Sequence, residues 1–385
     1  MNKFLKSLVI ALLAVLVGMT TIACGGKEET VNKGKTGLLY KKIDGVYTIY
    51  EYVDEGKGIT ELNIADYLED GITDVRIQAE AFNGNDTLKS IIVPSTVTEI
   101  DKGAFAGMKA LEEITLPYIG RTAYADLTVN GTSYNPEEDD IDKSVDSERT
   151  IAHLFGTAEY NEGVPMTINY GGTDSDKTST CYVPVTLKKI TIKPEGEYNI
   201  PMCAFNGFNM PIEIVLDGTV KAIGDYAFAG ATKLTKITLP TTVEKINNGA
   251  FAGATNLKDI NLIDLANLTE IGENAFENTA LKEIVIPEKV TKIGSYAFKD
   301  SKLIKITLSK ELKTLGNYAF YNCVKLEEVY TDGVTDLTIG VYAFGDCEKL
   351  SYFGELNNKA ENTIYVNGFT VNANAFDTGI EYTKK

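Results

Sequence analysis

Apolar residues recur along this chain in a fixed two-part scheme. From Leu234 it reads Leu-Thr-Lys-Ile237-Thr-Leu239-Pro, then Val243-Glu-Lys-Ile246, then a corner and Ala250-Phe251, and Leu281 to Phe298 repeats the scheme. Alternation of Ile237 and Leu239 places two apolar side chains on one face of a pleated strand and Thr238 on the other. Each block therefore predicts two short strands and a tight turn. Ten Ala-Phe dipeptides mark the blocks, at Phe82, Phe105, Phe205, Phe228, Phe251, Phe276, Phe298, Phe320, Phe344 and Phe376, and most neighbours are 22 to 25 residues apart. Self-similarity at that period predicts stacked units that cannot bury an apolar face alone. The expected fold is a β-rich, right-handed solenoid of stacked parallel strands with short second strands and turns.

Two corners recur in each block. The residue after the second strand is Gly224, Gly272, Gly294, Gly316 or Gly340, with Asp101, Asn247 and Gln78 in other blocks. Gly, Asn and Asp tolerate a left-handed backbone, so a positive φ is expected there. A second left-handed corner is expected two residues past each Phe, where Gly84, Gly107, Gly207, Gly230, Gly253, Asn278, Asp300, Asn322 and Asp346 stand and only Thr378 departs. A lone coil loses about 1–2 kcal/mol of backbone entropy per ordered residue. Its half-dozen apolar side chains return roughly 1.5–3 kcal/mol each, so coils fold only in series and the ends need caps. Residues 37–66, with Val46-Tyr-Thr-Ile-Tyr50 alternating, predict a hairpin as the N-terminal cap.

Leu-x-x-Ile-x-Leu-Pro, Val-x-x-Ile-Gly and Ala-Phe in register resemble the BspA-type leucine-rich repeats of bacterial surface proteins. The register is clear over 75–117 and 183–350. The resemblance implies a leucine-rich-repeat solenoid and, from the family, adhesion and binding of host matrix proteins. It orders the chain as cap and first repeats over 37–117, an insertion over 118–182, and repeats with a C-terminal cap over 183–385. The insertion is read either as a functional element with Tyr134, Tyr160 and Tyr170 as contacts or as a structural elaboration of the stack. Thr150 to Phe155 predicts a short helix within it.

The first residues follow a different rule. Lys3 and Lys6 precede an apolar run from Leu8 to Val17, and Thr21-Ile-Ala-Cys24 follows. That reads as a secretory signal over 1–23. It resembles a bacterial lipobox, which implies a lipid on Cys24 followed by a tether over 24–36. Lipid at Cys24 is then the expected attachment to the membrane.

The net charge of −17, with 54 acidic against 37 basic residues, disfavours nucleic acid and anionic lipid as charge-driven partners. One histidine, His153, excludes a multi-histidine metal site, and no zinc, phosphate-loop or nucleophile-elbow motif is present. No cofactor or metal is expected, and the chain reads as a non-enzyme. A Cys181–His153 dyad is outweighed by a packing role for His153. The acidic run 137–142 lacks the glycine and glutamate of a calcium loop. Cys323 and Cys347 stand three residues past their Phe, where other coils carry Ala, Thr or Ser, and read as core thiols. Cys181 and Cys203 flank one coil and remain candidates for a disulfide.

The function expected is that of an extracytoplasmic, lipid-anchored cell-surface protein binding an extracellular protein. The alternatives are a glycan receptor or an envelope scaffold. The binding face is expected on the outward positions of the first strands: Lys236, Asp259, Glu283, Lys305, Glu328 and Tyr352 in one column, with Tyr330 in the next. Solenoids commonly use such surfaces, and Tyr is enriched at interfaces. A glycan receptor would need an exposed aromatic platform, which Tyr330 and Tyr352 suggest.

Overall fold

A computed structural model describes residues 31–33, 37–43, 46–54, 58–122, 148–171, 176–355, 363–365, 369–372, 374–376 and 382–383. The signal segment, Cys24, Tyr134 and the acidic run 137–142 lie outside them. The chain winds as a solenoid of about 11 turns with parallel stacked strands. First strands Glu61–Asn63, Ser90–Ile92, Glu113–Leu116, Lys189–Ile192 and Glu213–Leu216 form one parallel ladder, in which Ile114, Ile190 and Ile214 lie opposite one another. Second strands from Glu197–Ile200 to Thr370–Val371 form an eight-stranded parallel sheet. At the N-terminal end Leu38–Ile43 pairs antiparallel with Val46–Tyr52, and Val46–Tyr52 pairs parallel with Val75–Ile77. The hairpin caps the stack as its alternation predicts.

The ten phenylalanines line the core. From Phe205 to Phe376 consecutive rings stack with centroids 5.1–5.3 Å apart. Tyr52 of the cap hairpin stacks on Phe82 at 5.9 Å and so closes the row at its N-terminal end. Phe353 meets Phe344 and Phe376 edge-on at the other end. Between coils the side bearing the rings is hydrogen-bonded too, with Phe228 N donating to Ala250 O at 2.7 Å and Phe298 N to Ala319 O at 2.7 Å. The third side of each coil is therefore as regular as the two strand sides.

The first corner departs from expectation. None of Gly224, Gly272, Gly294, Gly316 and Gly340 has a positive φ. Glycine is required there by contact between coils: a Cβ on Gly294 would lie 2.5 Å from Glu273 N, and one on Gly316 2.4 Å from Ser295 N. The left-handed residue comes two positions before each Phe instead, as Glu80, Gly103, Cys203, Tyr226, Gly249, Asn274, Tyr296, Tyr318, Tyr342 and Asn374. The second corner is left-handed as expected, from Gly84 to Asp346.

The stack also runs through the stretch expected to interrupt it. Gly103 N donates to His153 O at 2.7 Å and Phe105 N to Leu154 O at 3.0 Å, as Phe82 N does to Ala104 O in a regular coil. Leu154-Phe155 thus stands where Ala-Phe stands elsewhere, on a one-turn helix Ile151–Phe155 whose side chains are all buried. A hairpin, Gly163–Asn169 with Thr178–Pro184, follows it. Met166, Ile168, Cys181 and Val183 form its buried face. The hairpin lies against the third side: a Cβ on Gly207 would meet Thr167 O at 2.6 Å.

Candidate functional site

Parallel register sets the outward column of the first strands. Lys236 lies opposite Asp259, and their side chains pair with Nζ 3.0 Å from Oδ2. Glu283, Lys305, Glu328 and Tyr352 are likewise successive partners. The column expected from sequence is nevertheless broken between Asp259 and Glu283. The chain there turns into a short 3-10 helix, Leu262–Asp264, and the Asn261 side chain reaches back to extend the pairing with the preceding coil. Its Oδ1 accepts from Leu239 N at 2.8 Å and its Nδ2 donates to Leu239 O at 3.0 Å.

Burial corrects the end of that column. Tyr330 is 3 % exposed and Tyr352 is 0 % exposed, so neither is an open contact residue. Their rings meet at 5.7 Å, Tyr330 Oη donates to Glu328 at 2.7 Å, and the Lys305 ammonium lies 4.7 Å from the Tyr330 ring centroid. Tyr352 donates its hydroxyl to Glu355 O. Alternation assigns a side chain to a face of the sheet and says nothing about what packs over that face. Lys236, Asp259 and Glu283 remain exposed, while Lys305 and Glu328 are half-buried.

The reactive-residue candidates are core groups. His153 Nε2 lies 2.9 Å from Ile100 O, and burial holds its pKa below the usual histidine value. Burial pushes the Cys181 thiol up to about 12, the opposite of an activated nucleophile. Cys323 is also pushed up to about 12, by burial, and its Sγ donates to Phe298 O at 3.1 Å; Cys347 Sγ donates to Phe320 O at 3.1 Å. Both are core thiols, as their position after Phe suggests. Cys181 and Cys203 are buried, with no disulfide between them. Among the described residues no three metal-ligating side chains cluster.

Charge gathers on the second-strand side of the first coils. The Arg76 guanidinium grips the Asp101 carboxylate with Nη2 at 2.7 Å, and Glu99 joins Arg76 to Arg121, which also reaches Glu148. An open recess of about 440 Å³ adjoins this network, lined by Val46, Thr48, Arg76, Gln78, Ala79, Glu99 and Asp101. Its cations are already matched by carboxylates.

A surface that the sequence reading missed lies on the third side. Tyr296, Tyr318 and Tyr342 occupy the left-handed position in three successive coils. The first two rings stack at 5.0 Å and the next pair at 5.4 Å, while Tyr321 meets Tyr318 edge-on. All four are partly exposed, Tyr342 by 37 %. Beside them Lys299 sits between Glu277 and Asp300, 2.7 Å from each, and Asn322 donates to Asp300. The signal was the tripeptide Tyr-Ala-Phe, present at Tyr226, Tyr296, Tyr318 and Tyr342.

The BspA type leucine rich repeat region matches this chain in six copies over residues 48–138, 178–304 and 269–372. Among solved structures, a leucine-rich-repeat protein of Bacteroides ovatus is 19 % identical, with 90 % of this chain and 82 % of that one aligned and a TM-score of 0.35. A leucine-rich-repeat protein of T. pallidum is 27 % identical over 42 % of this chain and 77 % of its own, with a TM-score of 0.38. A leucine-rich cell surface protein of Faecalibacterium prausnitzii is 18 % identical over 91 % of this chain and 86 % of its own, at 0.29. No curated protein matches the chain.

Proposed function

The chain belongs to the BspA-type leucine-rich-repeat family, and on that premise we propose that it is a non-catalytic, extracytoplasmic protein that binds an extracellular protein on the surface of its solenoid. The observation that carries this reading is the register of the coils. A rigid, hydrogen-bonded stack holds side chains from successive coils in fixed columns, as in Lys236 beside Asp259 and Glu283 beside Lys305. Preorganised side chains lose little entropy on binding. The exposed column of Lys236, Asp259 and Glu283 is the proposed contact on the first-strand face, with Lys305 and Glu328 at its half-buried end. Tyr330 and Tyr352 act there as packing residues.

The anchor belongs to the same proposal. The apolar run before Thr21-Ile-Ala-Cys24 supports export and lipid attachment at Cys24. Cys24→Ala should abolish acyl labelling and release the protein to the soluble fraction; unchanged membrane retention would sink the anchor. For the ligand, the full-length protein is immobilised and an identified extracellular partner is then titrated against it in purified form. Changing Lys236, Asp259 and Glu283 together to Ala should weaken that complex with the melting temperature held. If no extracellular protein binds the purified chain saturably, the protein-binding reading fails.

A further inference from the structure

A tyrosine at positive φ is costly. A left-handed backbone at a non-glycine residue costs about 1–2 kcal/mol, and bulky residues adopt it rarely. The equivalent corner is Gly in the coils of Phe105 and Phe251 and Asn in those of Phe276 and Phe376, so cheaper residues fit the same backbone. Three successive coils nevertheless carry Tyr there, at φ of 58°, 58° and 50°. Ring stacking returns part of that cost, about 0.5–1.5 kcal/mol per pair. It does not require the rings to stand partly in water, where Tyr296, Tyr318 and Tyr342 stand. Glu80, Cys203 and Tyr226 take the same backbone singly in other coils, whereas Tyr296, Tyr318 and Tyr342 hold it in a stacked row, and clustered strain in a rigid surround points to function.

The surroundings define the chemistry. Each ring covers its neighbour's face at 5.0–5.4 Å, so the ladder offers edges and phenolic oxygens rather than the open ring faces on which a sugar would stack. Carboxylates flank it. Glu273 is exposed at the start of the row, and Glu277, Asp300 and Asp346 stand on the same side of the coils. Lys299, the cation among them, is held between Glu277 and Asp300. Phenolic and carboxylate oxygens are both acceptors for guanidinium and ammonium groups. The chain's net charge of −17 favours the approach of a cationic partner from a distance.

We propose that the corner bearing Tyr296, Tyr318 and Tyr342 is a docking surface for a basic, Arg- or Lys-rich segment of a partner protein. It rests on the protein-binding reading above and adds a second face and a partner chemistry to it.

The test titrates the full-length protein into a fluorescent peptide of alternating Arg and Gly. Alternating Glu and Gly, and a neutral polysaccharide, serve as comparison probes. The wild-type protein should bind the basic peptide, more weakly as salt rises. Tyr296→Asn, Tyr318→Asn and Tyr342→Asn combined, with Asn as the residue that neighbouring coils already use, should weaken binding at least about tenfold. A second variant, Glu277→Gln with Asp300→Asn, leaves the tyrosines in place and should weaken binding several-fold with a shallower salt dependence. Unchanged binding in both variants overturns the proposal, as does a wild-type protein that binds the polysaccharide or the acidic peptide in preference. A captured protein partner retained by the ladder variants overturns the ladder and leaves the protein-binding reading standing. Absence of any saturable protein partner overturns that reading instead.

Discussion

The third side of the solenoid is built twice on one backbone. Around Phe228 and Phe251 the two residues after Phe are Ala229-Gly230 and Ala252-Gly253, and the side is nearly bare. Around Phe276, Phe298 and Phe320 they are Glu277-Asn278, Lys299-Asp300 and Tyr321-Asn322, and tyrosines stand beside the last two pairs. The hydrogen bonds between coils are the same in both regions, with Phe251 N to Ala275 O at 2.8 Å and Phe320 N to Ala343 O at 2.7 Å. The single tyrosine of the bare region, Tyr226, lies over Gly249, where a Cβ would sit 2.3 Å from its ring. The repeat thus fixes the backbone and leaves the outer side chains to vary, so stability is shared between regions and the proposed recognition is local to one.

The largest expected effect tests the shared part. Phe251→Ala in the bare region and Phe320→Ala in the ladder region each remove a ring buried between two others, and each should cost about 3–5 kcal/mol in urea denaturation. Phe376→Ala at the end of the row should cost less. Widely unequal losses at Phe251 and Phe320 would mean that the two regions do not share one spine.

Next comes the close approach between coils. Gly224→Ala and Gly294→Ala should each cost about 1–3 kcal/mol, because the added Cβ would lie 2.4 Å from Ile200 O in the first and 2.5 Å from Glu273 N in the second. A harmless Gly294→Ala would contradict the steric account of this corner.

These residues show what one sequence makes legible. Ala-Phe spacing and the alternation in Leu-x-x-Ile-x-Leu are properties of a single coil, so the parallel stack and the left-handed corner after Phe could be read directly. Gly294 is legible as a corner residue, but its need for glycine lies in contact with the backbone of the coil before it, which one coil's sequence does not show. Leu154-Phe155 escaped because Leu replaces Ala and the rest of its coil lies far off in the chain, near Arg121, whose O accepts from Ile100 N. Alternation places Tyr330 and Tyr352 on the outward face and cannot report that they are covered there. The tyrosine ladder is not legible from one coil, because the residue before Ala-Phe belongs to the turn and only stacking brings successive rings together.

His153 gives a smaller, pH-dependent effect. Burial holds its folded pKa below the ordinary value near 6.5, with Glu148 favouring the charged form and Arg121 and Lys102 opposing it. The unfolded chain then binds a proton that the folded one does not, so stability is lost as pH falls from about 6.5 through the folded value. His153→Gln should remove this component, seen as a flatter dependence of the melting temperature on pH between 7 and 5. An unchanged slope would place His153 in a solvated setting.

The smallest effect on stability belongs to the ladder. In Tyr296→Asn, which loses one stacked pair with Tyr318, the relief of a strained backbone offsets the lost stacking to within about 1 kcal/mol. A loss of several kcal/mol would make the ladder a structural element and erase the contrast between the two regions.

Amide hydrogen exchange of the full-length protein with and without the basic peptide tests the central claim most directly. Recognition local to the ladder predicts added protection at the corners of residues 295–300, 317–322 and 341–346, with the bare corners at 225–230 and 248–253 unchanged. Protection spread equally over both sets of corners, or confined to the hairpin Gly163–Asn169 and Thr178–Pro184, would contradict it.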